Sequence, residues 1–329
     1  MTDIVTYKIE MSLTGRLTQL PDSQRIFGAL IYMCAEQYSS EQATVLVSKI
    51  RDGEFYFALS NMLPRDYLPV PQAFLLDQLA ALNDKMKRKQ IYQAVKKRSF
   101  AKLEQINELL SNPVHAERLY PYAFIQSSQQ IHASIDSVRY DMPGLDPNVY
   151  SVPEVTVLEM KAGAEPEIVT EFSFYISADK CAESSELLDA LHYSKENKKR
   201  FFLGARASQG LNTFVVKNIQ SGPWSMDEKT RAYLNLGMLL PENIDFNQSS
   251  LKLFTSERRP YDSSRGWEKG FSRKFISFID AGSIVYLPNG RKEAGRSIPS
   301  PFQSRDIVFG NAFLLPIHSD RGLQHDGTS

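Results

Sequence analysis

The sequence predicts an α+β fold, and three observations carry that prediction. Alternating strand-like runs and amphipathic helical runs follow the order β-α-β, a long insertion, then β-α-β, which is the order of a ferredoxin-like unit. From residue 222 onward, short strand candidates succeed one another between turn signals with little helical periodicity. Hydrophobic residues make up 42% of the 329 positions, enough for a packed core, and the length gives a prior of two domains.

Taken in order, residues 4–14 alternate with Val5, Tyr7, Ile9, Met11 and Leu13 on one side. The run 15–21 breaks that pattern. Asp22 or Ser23 then caps a helix whose apolar stripe is Ile26, Ala29, Leu30, Met33 and Cys34. Ser23 and Gln24 thereby stand at a helix N-terminus, where free N–H groups and the dipole favour phosphate. For either residue taken alone, an ordinary N-cap is the stronger reading. Phe55, Phe57 and Leu59 mark the second strand.

Residues 66–150 read as an insertion. It opens on the extended link Leu68-Pro69-Val70-Pro71 and continues as a helical stretch over 74–110, broken near Ser99. The polar run 126–140, followed by Pro143, Gly144, Asp146, Pro147 and Asn148, predicts a protruding hairpin or loop. Strands at 151–161 and 168–177, a helix over 182–197 with Leu187, Leu188 and Leu191 inward, and a strand at 213–216 complete the unit. Beyond Gly222-Pro223, strand candidates lie at 232–240, 251–255, 274–279, 283–287 and 307–315. The expected division is a first unit over 1–221, including the insertion, a β-rich second unit over 222–318, and a disordered polar tail at 319–329.

The net charge is zero, so attraction to a polyanion has to come from local patches. One such patch is the run 85–102, with Lys85, Lys87, Arg88, Lys89, Lys96, Lys97, Arg98 and Lys102 and no acidic residue. A solvated helix face and a contact with RNA or an acidic protein both fit it. Cys34 and Cys181 are far apart and belong to no CxxC pair, which argues against a zinc site or disulfide framework. The five histidines lack metal-ligand spacing, and GxSxG, Walker and HExxH motifs are missing, so neither a cofactor nor catalysis is expected. The N-terminal residues show no signal-peptide pattern, and no apolar run approaches membrane-spanning length; a cytoplasmic protein with no membrane contact is the expectation.

Binding residues are better represented. Residues 203–212 place Gly204, Arg206, Ser208, Gly210 and Asn212 between a helix and a strand. Glycines allow close backbone approach, successive N–H groups can form an anion nest, and Arg206 adds a fork suited to phosphate. A helix C-cap followed by a solvated loop is the competing reading. Further on, Arg258, Arg259, Arg273 and Lys274 bracket a Gly-containing run with Tyr261, Trp267 and Phe271, a mixture suited to single-stranded nucleic acid.

These residues in this order resemble the fourth-subunit family of the Csm complex, the type III-A CRISPR RNA-guided effector, within the RAMP superfamily. Leu20 to Leu30, the pieces Ser60-Asn61-Met62-Leu63-Pro64 and Tyr67-Leu68-Pro69-Val70-Pro71, Ile131 to Arg139, Leu203 to Asn212 and Phe309 to Ile317 carry the likeness. Leu211-Asn212 stands where a further glycine is common in that family, and His132 and Asp136 partly replace its basic thumb residues. The resemblance implies two ferredoxin-like (RRM-like) domains with a protruding thumb insertion. It implies a non-catalytic subunit that holds the repeat-derived 5′ handle of the CRISPR RNA. The implied partners are the large cyclase/polymerase-like subunit and the backbone RAMP subunit, with target RNA reached through the complex. On this reading Ser23, Gln24 and Phe27 meet the handle at the first helix, the 203–212 loop grips its phosphates, and His132 and Arg139 press on it from the thumb. Two alternatives stay open: a metal-independent CRISPR RNA-processing endoribonuclease with His132 as general acid, and a protein-interaction module.

Overall fold

The computed structural model describes residues 3–80, 84–134, 148–204, 209–222, 224, 230–258, 274–301 and 307–317. The first unit begins with Ile4–Leu13 (β1), Ser23–Gln37 (α1), Ser40–Arg51 (α2), Phe57–Leu59 (β2) and Leu63–Pro64 (β3). One helix was expected here and two form, because Ser39 accepts from the Gln42 N–H and caps a second helix after the first ends at Tyr38.

The insertion follows as Leu68–Pro69 (β4), Gln72–Leu79 (α3), Lys85–Lys97 (α4), Phe100–Ala101 (β5), Leu103–Ser111 (α5), Tyr122–Ser134 (β6), Asn148–Met160 (β7) and Glu167–Ile168 (β8). β6 and β7 pair from Tyr122↔Met160 out to Ser134↔Asn148, so the hairpin is about 40 Å long. Its root is buried at Tyr122 and Ala123, whereas Ile125 to Gln129 and Ile131 are exposed, so the outer part projects from the body as the polar sequence predicts. Its tip at 135–147, Arg139 included, lies outside the described residues.

The chain returns through Glu171–Asp179 (β9), Ala182–Glu196 (α6), Arg200–Phe202 (β10) and Thr213–Ser221 (β11). The antiparallel sheet has the order β10-β11-β1-β9-β2, with β3 also on β9. Without the two short additions β10 and β3, that is fourth-first-third-second, the ferredoxin-like arrangement.

The second unit comprises Ala232–Asn235 (β12), Asp245–Ser250 (β13), Leu253–Arg258 (β14), Lys274–Ile279 (β15), Ile284–Tyr286 (β16), Ile298–Pro299 (β17), Ile307–Val308 (β18) and Leu314–Pro316 (β19). Its main sheet runs β13-β16-β12-β19, antiparallel throughout. Numbered among the four strands of this sheet, the order is second-third-first-fourth, the same ferredoxin-like order read from the other edge. The α+β expectation with two ferredoxin-like sheets therefore holds, and among the described residues the second sheet carries no α-helix. β13, with the sequence DFNQSS, was not anticipated, since it shows no apolar alternation.

One hydrophobic cluster runs through both units, joining Leu30 and Leu187 on the helices, Phe57, Phe172 and Phe214 on the first sheet, and Phe309 and Phe313 near the C-terminus. Each fully buried phenylalanine contributes about 1.5–3 kcal/mol. Backbone bonds extend the junction: Leu59 N–H donates to Asn311 O (3.1 Å), Phe313 N–H to Leu59 O (2.9 Å) and Asn61 N–H to Leu236 O (2.8 Å). A Cβ at Gly237 would lie 2.3 Å from Leu59 O, so the close approach there requires glycine. The predicted tail at 319–329 and Pro223 lie outside the described residues.

Candidate nucleic-acid interface

The segment from Gly15 to Arg25, between β1 and α1, runs between two concave surfaces. On one side stand the ends of the 203–212 loop and the thumb hairpin; on the other, α1 faces the second unit. The loop itself is a hairpin connection. β10 intervenes after α6, and the C-cap of α6 is Asn197, so the helix-cap reading of 203–212 does not hold.

Asn212 organises the loop's end. It is fully buried at 0% exposure and adopts φ 53°, a left-handed conformation that Asn tolerates better than most residues. It thus takes up the backbone shape for which a glycine would ordinarily be chosen. Its Oδ1 accepts from Thr18 N–H (2.9 Å), its Nδ2 donates to Thr18 Oγ1 (2.9 Å), and its N–H donates to Arg16 O (2.8 Å). A Cβ on Gly204 would meet Asn212 Nδ2 at 2.8 Å, and a Cβ on Gly15 would meet Gly210 O at 2.0 Å. These contacts press the loop against the β1–α1 connection. Gly210 has φ 73°, as its glycine predicts. Arg206 and Ser208 lie outside the described residues; the positions that frame them are fixed.

The thumb closes the other side of this cleft. Val155 N–H donates to Leu17 O (2.8 Å), tying β7 to the same connection. The cleft, about 410 Å³, is lined by Arg16, Gln130, Tyr150, Glu154, Gln209 and Gly210 among others. The Arg16 side chain is 63% exposed at its mouth, 3.8 Å from a Glu154 oxygen, and its planar fork suits phosphate. Sequence reasoning missed Arg16; its place directly after the strand-breaking Gly15 is the signal that could have found it. His132 is in register with Tyr150, which places it on the thumb beside this cleft. At the hairpin's root, Tyr67 donates to Glu159; burial first, and then that carboxylate, push the Tyr67 hydroxyl pKa up.

The first helix differs from expectation. Asp22 caps it, its carboxylate accepting from Arg25 N–H (2.9 Å) and pairing with the Arg25 guanidinium. Ser23 N–H donates to Asn61 Oδ1 (2.9 Å). Ser23 is fully buried, and its Oγ accepts from Met238 N–H (3.1 Å) in the second unit. Phe27 is 7% exposed and stacks on Phe309, with centroids 4.3 Å apart and planes at 8°. Ser23 is turned away from the surface by these bonds, whereas Phe27 also lines the groove between α1 and the second unit. Both residues bind the two units together, and an aspartate occupies the end of the helix where a phosphate was expected.

Gln24 keeps an outward role. Together with Gln19, Asn61, Met238, Phe254 and Ser256 it lines a groove of about 850 Å³ between α1 and the second unit. Amides beside an aromatic ring provide donors and acceptors for base edges and a face for stacking. Phe254 and Ser256 belong to the β14–β15 hairpin, whose last pair is Arg258↔Lys274. The basic-aromatic run from Arg259 to Arg273 lies outside the described residues and connects these two strands. Lys274 is exposed. The structure thus gathers Gln24 with the root of the basic hairpin, and Gly204 and Gly210 with Arg16 and the thumb. Arg98, from the basic run, belongs to neither. It is buried, donates to Ala94 O and Leu119 O, and stacks on Tyr122 at 4.2 Å. Among the described residues, no group of three or more His, Cys, Asp or Glu side chains could hold a metal ion, and no helix is long and apolar enough to cross a membrane.

No family model and no curated protein matches the sequence. Solved structures do match the fold. The chain is similar to one in the Csm3–Csm4 subcomplex of the type III-A CRISPR-Cas interference complex, at 13% identity and TM-score 0.57, covering 95% of this chain and 99% of that one. It is also similar to one in a Csm1–Csm4 cassette in complex with cA4, at 14% identity and TM-score 0.55, covering 96% of this chain and 99% of the other. A third match, to a Csm1–Csm4 cassette with pppApA, has 15% identity, TM-score 0.54 and coverage of 97% and 100%. Csm4 is the component common to these assemblies, and the present chain has a similar fold over the 95–97% of its length that the matches cover.

Proposed function

We propose that this protein is a non-catalytic, RNA-binding subunit of a type III-A effector complex. It holds the repeat-derived 5′ handle of the CRISPR RNA and links a large cyclase/polymerase-like subunit to a backbone RAMP subunit. The observation that carries this reading is the fold match along nearly the whole chain to a protein solved in complex with two different partners, Csm1 and Csm3. The local geometry supports it. A glycine loop packed against the first strand–helix connection, an exposed Arg16 and a projecting thumb form one cleft of the size and chemistry that suit a phosphate-rich strand.

Arg16 and Arg206 hold phosphates, Gln24 and the β14–β15 hairpin with Arg258, Arg259, Arg273 and Lys274 contact the strand further along, and His132 and Arg139 meet it from the thumb. Co-expression with the large subunit and the backbone subunit from the same array tests the linking role: one complex containing all three and protecting the handle from nuclease is expected. A complex of the large and backbone subunits that assembles and protects the handle equally well without this chain would refute it. Incubation of the purified complex with repeat RNA in EDTA tests the non-catalytic part; a defined cut abolished by His132→Ala would overturn it in favour of RNA processing.

A further inference from the structure

The basic run at 85–102 divides in the structure: on α4, Lys96 and Lys97 stand in the last turn over the Tyr92 and Phe124 rings, whereas the charges of its first turns have no such use among the described residues. α4 buries Ile91 and Val95 and turns Lys85, Lys87, Lys89, Lys96 and Lys97 to solvent, with Arg88 half-exposed. Lys85, Lys87, Arg88 and Lys89 crowd its first turns, at the positive end of the helix dipole, where cations are disfavoured. Lys85 also repels Lys89 at i,i+4 and Arg88 at i,i+3, and none of the four basic residues forms an ion pair among the described residues. A merely solvated helix would gain stability from the opposite arrangement, with acids first and bases last. The charge is therefore held against the local preference of the helix.

Between α3 and α4 lies a shallow pocket of about 380 Å³ floored by Leu76 and Leu79 and walled by Lys85, Arg88, Lys89 and Tyr92. Tyr92 is 46% exposed, and Lys96 Nζ sits 5.7 Å from its ring centroid. We infer that α4 is a second nucleic-acid-docking surface, distinct from the glycine-loop cleft, on which one RNA strand lays its phosphates along Lys85, Arg88 and Lys89 and stacks a base on Tyr92. The span from Lys85 to Lys96 is about 16 Å, the reach of a few nucleotides. An aromatic face set among cations favours RNA over an acidic protein, because base stacking uses the ring as well as the charge.

The test uses the full chain and a labelled oligouridine, with Arg16→Ala measured beside the α4 variants, so that a loss at α4 is read separately from a loss at the glycine-loop cleft, which also takes RNA regardless of sequence. Replacing Lys85, Arg88 and Lys89 together by Gln is expected to weaken binding about tenfold near 0.1 M salt and to lower the salt slope by about 2. The same variant should melt at a higher temperature than the parent, since the misplaced cations are gone. Tyr92→Ala should weaken binding while leaving the slope unchanged, and ultraviolet crosslinking of the parent should mark Tyr92. Unchanged affinity and slope in the triple variant would overturn the proposal. So would a lower melting temperature for that variant, or polyglutamate displacing the oligouridine as well as RNA does, which would assign α4 to an acidic protein.

Discussion

The α1 terminus and the 203–212 loop carry the same signal in sequence, a polar or glycine-containing junction at the end of a strand or helix, and the structure uses them in opposite ways. At α1 Ser23 and Phe27 are turned inward: Ser23 Oγ accepts from Met238 N–H, Asn61 Oδ1 accepts from Ser23 N–H, and Phe27 stacks on Phe309. At the loop the inward work is concentrated in a single residue, Asn212, which leaves Arg16 and the described glycines at the edge of an open cleft. A junction is available for a ligand only when something else satisfies its structural needs. In this chain Asn212 does so for the loop and leaves the cleft open, whereas at the helix Asp22 and Asn61 take up the free N–H groups themselves.

Substitutions sharpen this contrast, and the largest effect is expected at Phe27. Phe27→Ala should cost about 3–5 kcal/mol in denaturant unfolding, as truncation of a buried aromatic does. A loss below about 1 kcal/mol combined with a large loss of RNA affinity would return Phe27 to the binding surface. Asn212→Ala should cost about 2–3 kcal/mol, since it removes buried hydrogen bonds and places a Cβ-bearing residue without a polar side chain at positive φ. Asn212→Gly keeps the backbone shape and should cost visibly less; equal losses would mean that the φ angle is unimportant.

Ser23→Ala comes next, at about 1–3 kcal/mol, because the buried Met238 N–H loses its acceptor. Handle affinity per folded molecule should not change. The smallest effect concerns the Lys49–Glu183 pair between α2 and α6, where the hydrogen bond from Lys49 holds the Glu183 carboxyl down to about 2. A folded pKa below the unfolded value means that the contribution is fully present above about pH 4.5 and fades as pH falls toward 2. Stability curves of the parent and Glu183→Gln should therefore differ slightly at neutral pH and converge across that window. Parallel curves down to pH 2 would show that the pair contributes nothing.

Much of the first unit was legible because local signals agree with the global fold. β1, α1, β9 and α6 show clean periodicity, and the insertion announces itself by proline links and by a polar hairpin. What escaped was non-local. The inward turn of Ser23 depends on Met238, 215 residues away, which no local pattern can encode. Asn212 in place of a glycine was visible as a departure, yet its meaning required Thr18, 194 residues distant. β13 is a polar edge strand whose pairing with β16 comes from its neighbours, and β10 is only Arg200–Phe202 long. The second unit's ferredoxin-like order was hidden for a similar reason, since helices normally mark that fold and here the short strand pairs β14–β15 and β17–β18 stand between the sheet strands.

The central claim is that the cleft between the glycine loop and the thumb grips the backbone of the CRISPR RNA handle. Its most direct test is the salt dependence of handle binding by the complex reconstituted with its two partner subunits, comparing the parent with Arg206→Ala and with Arg16→Ala. Each substitution should weaken binding similarly for native and scrambled handle sequences, lower the slope of log affinity against log salt by about 1, and leave unfolding unchanged. An unchanged slope and affinity in both variants would contradict the account.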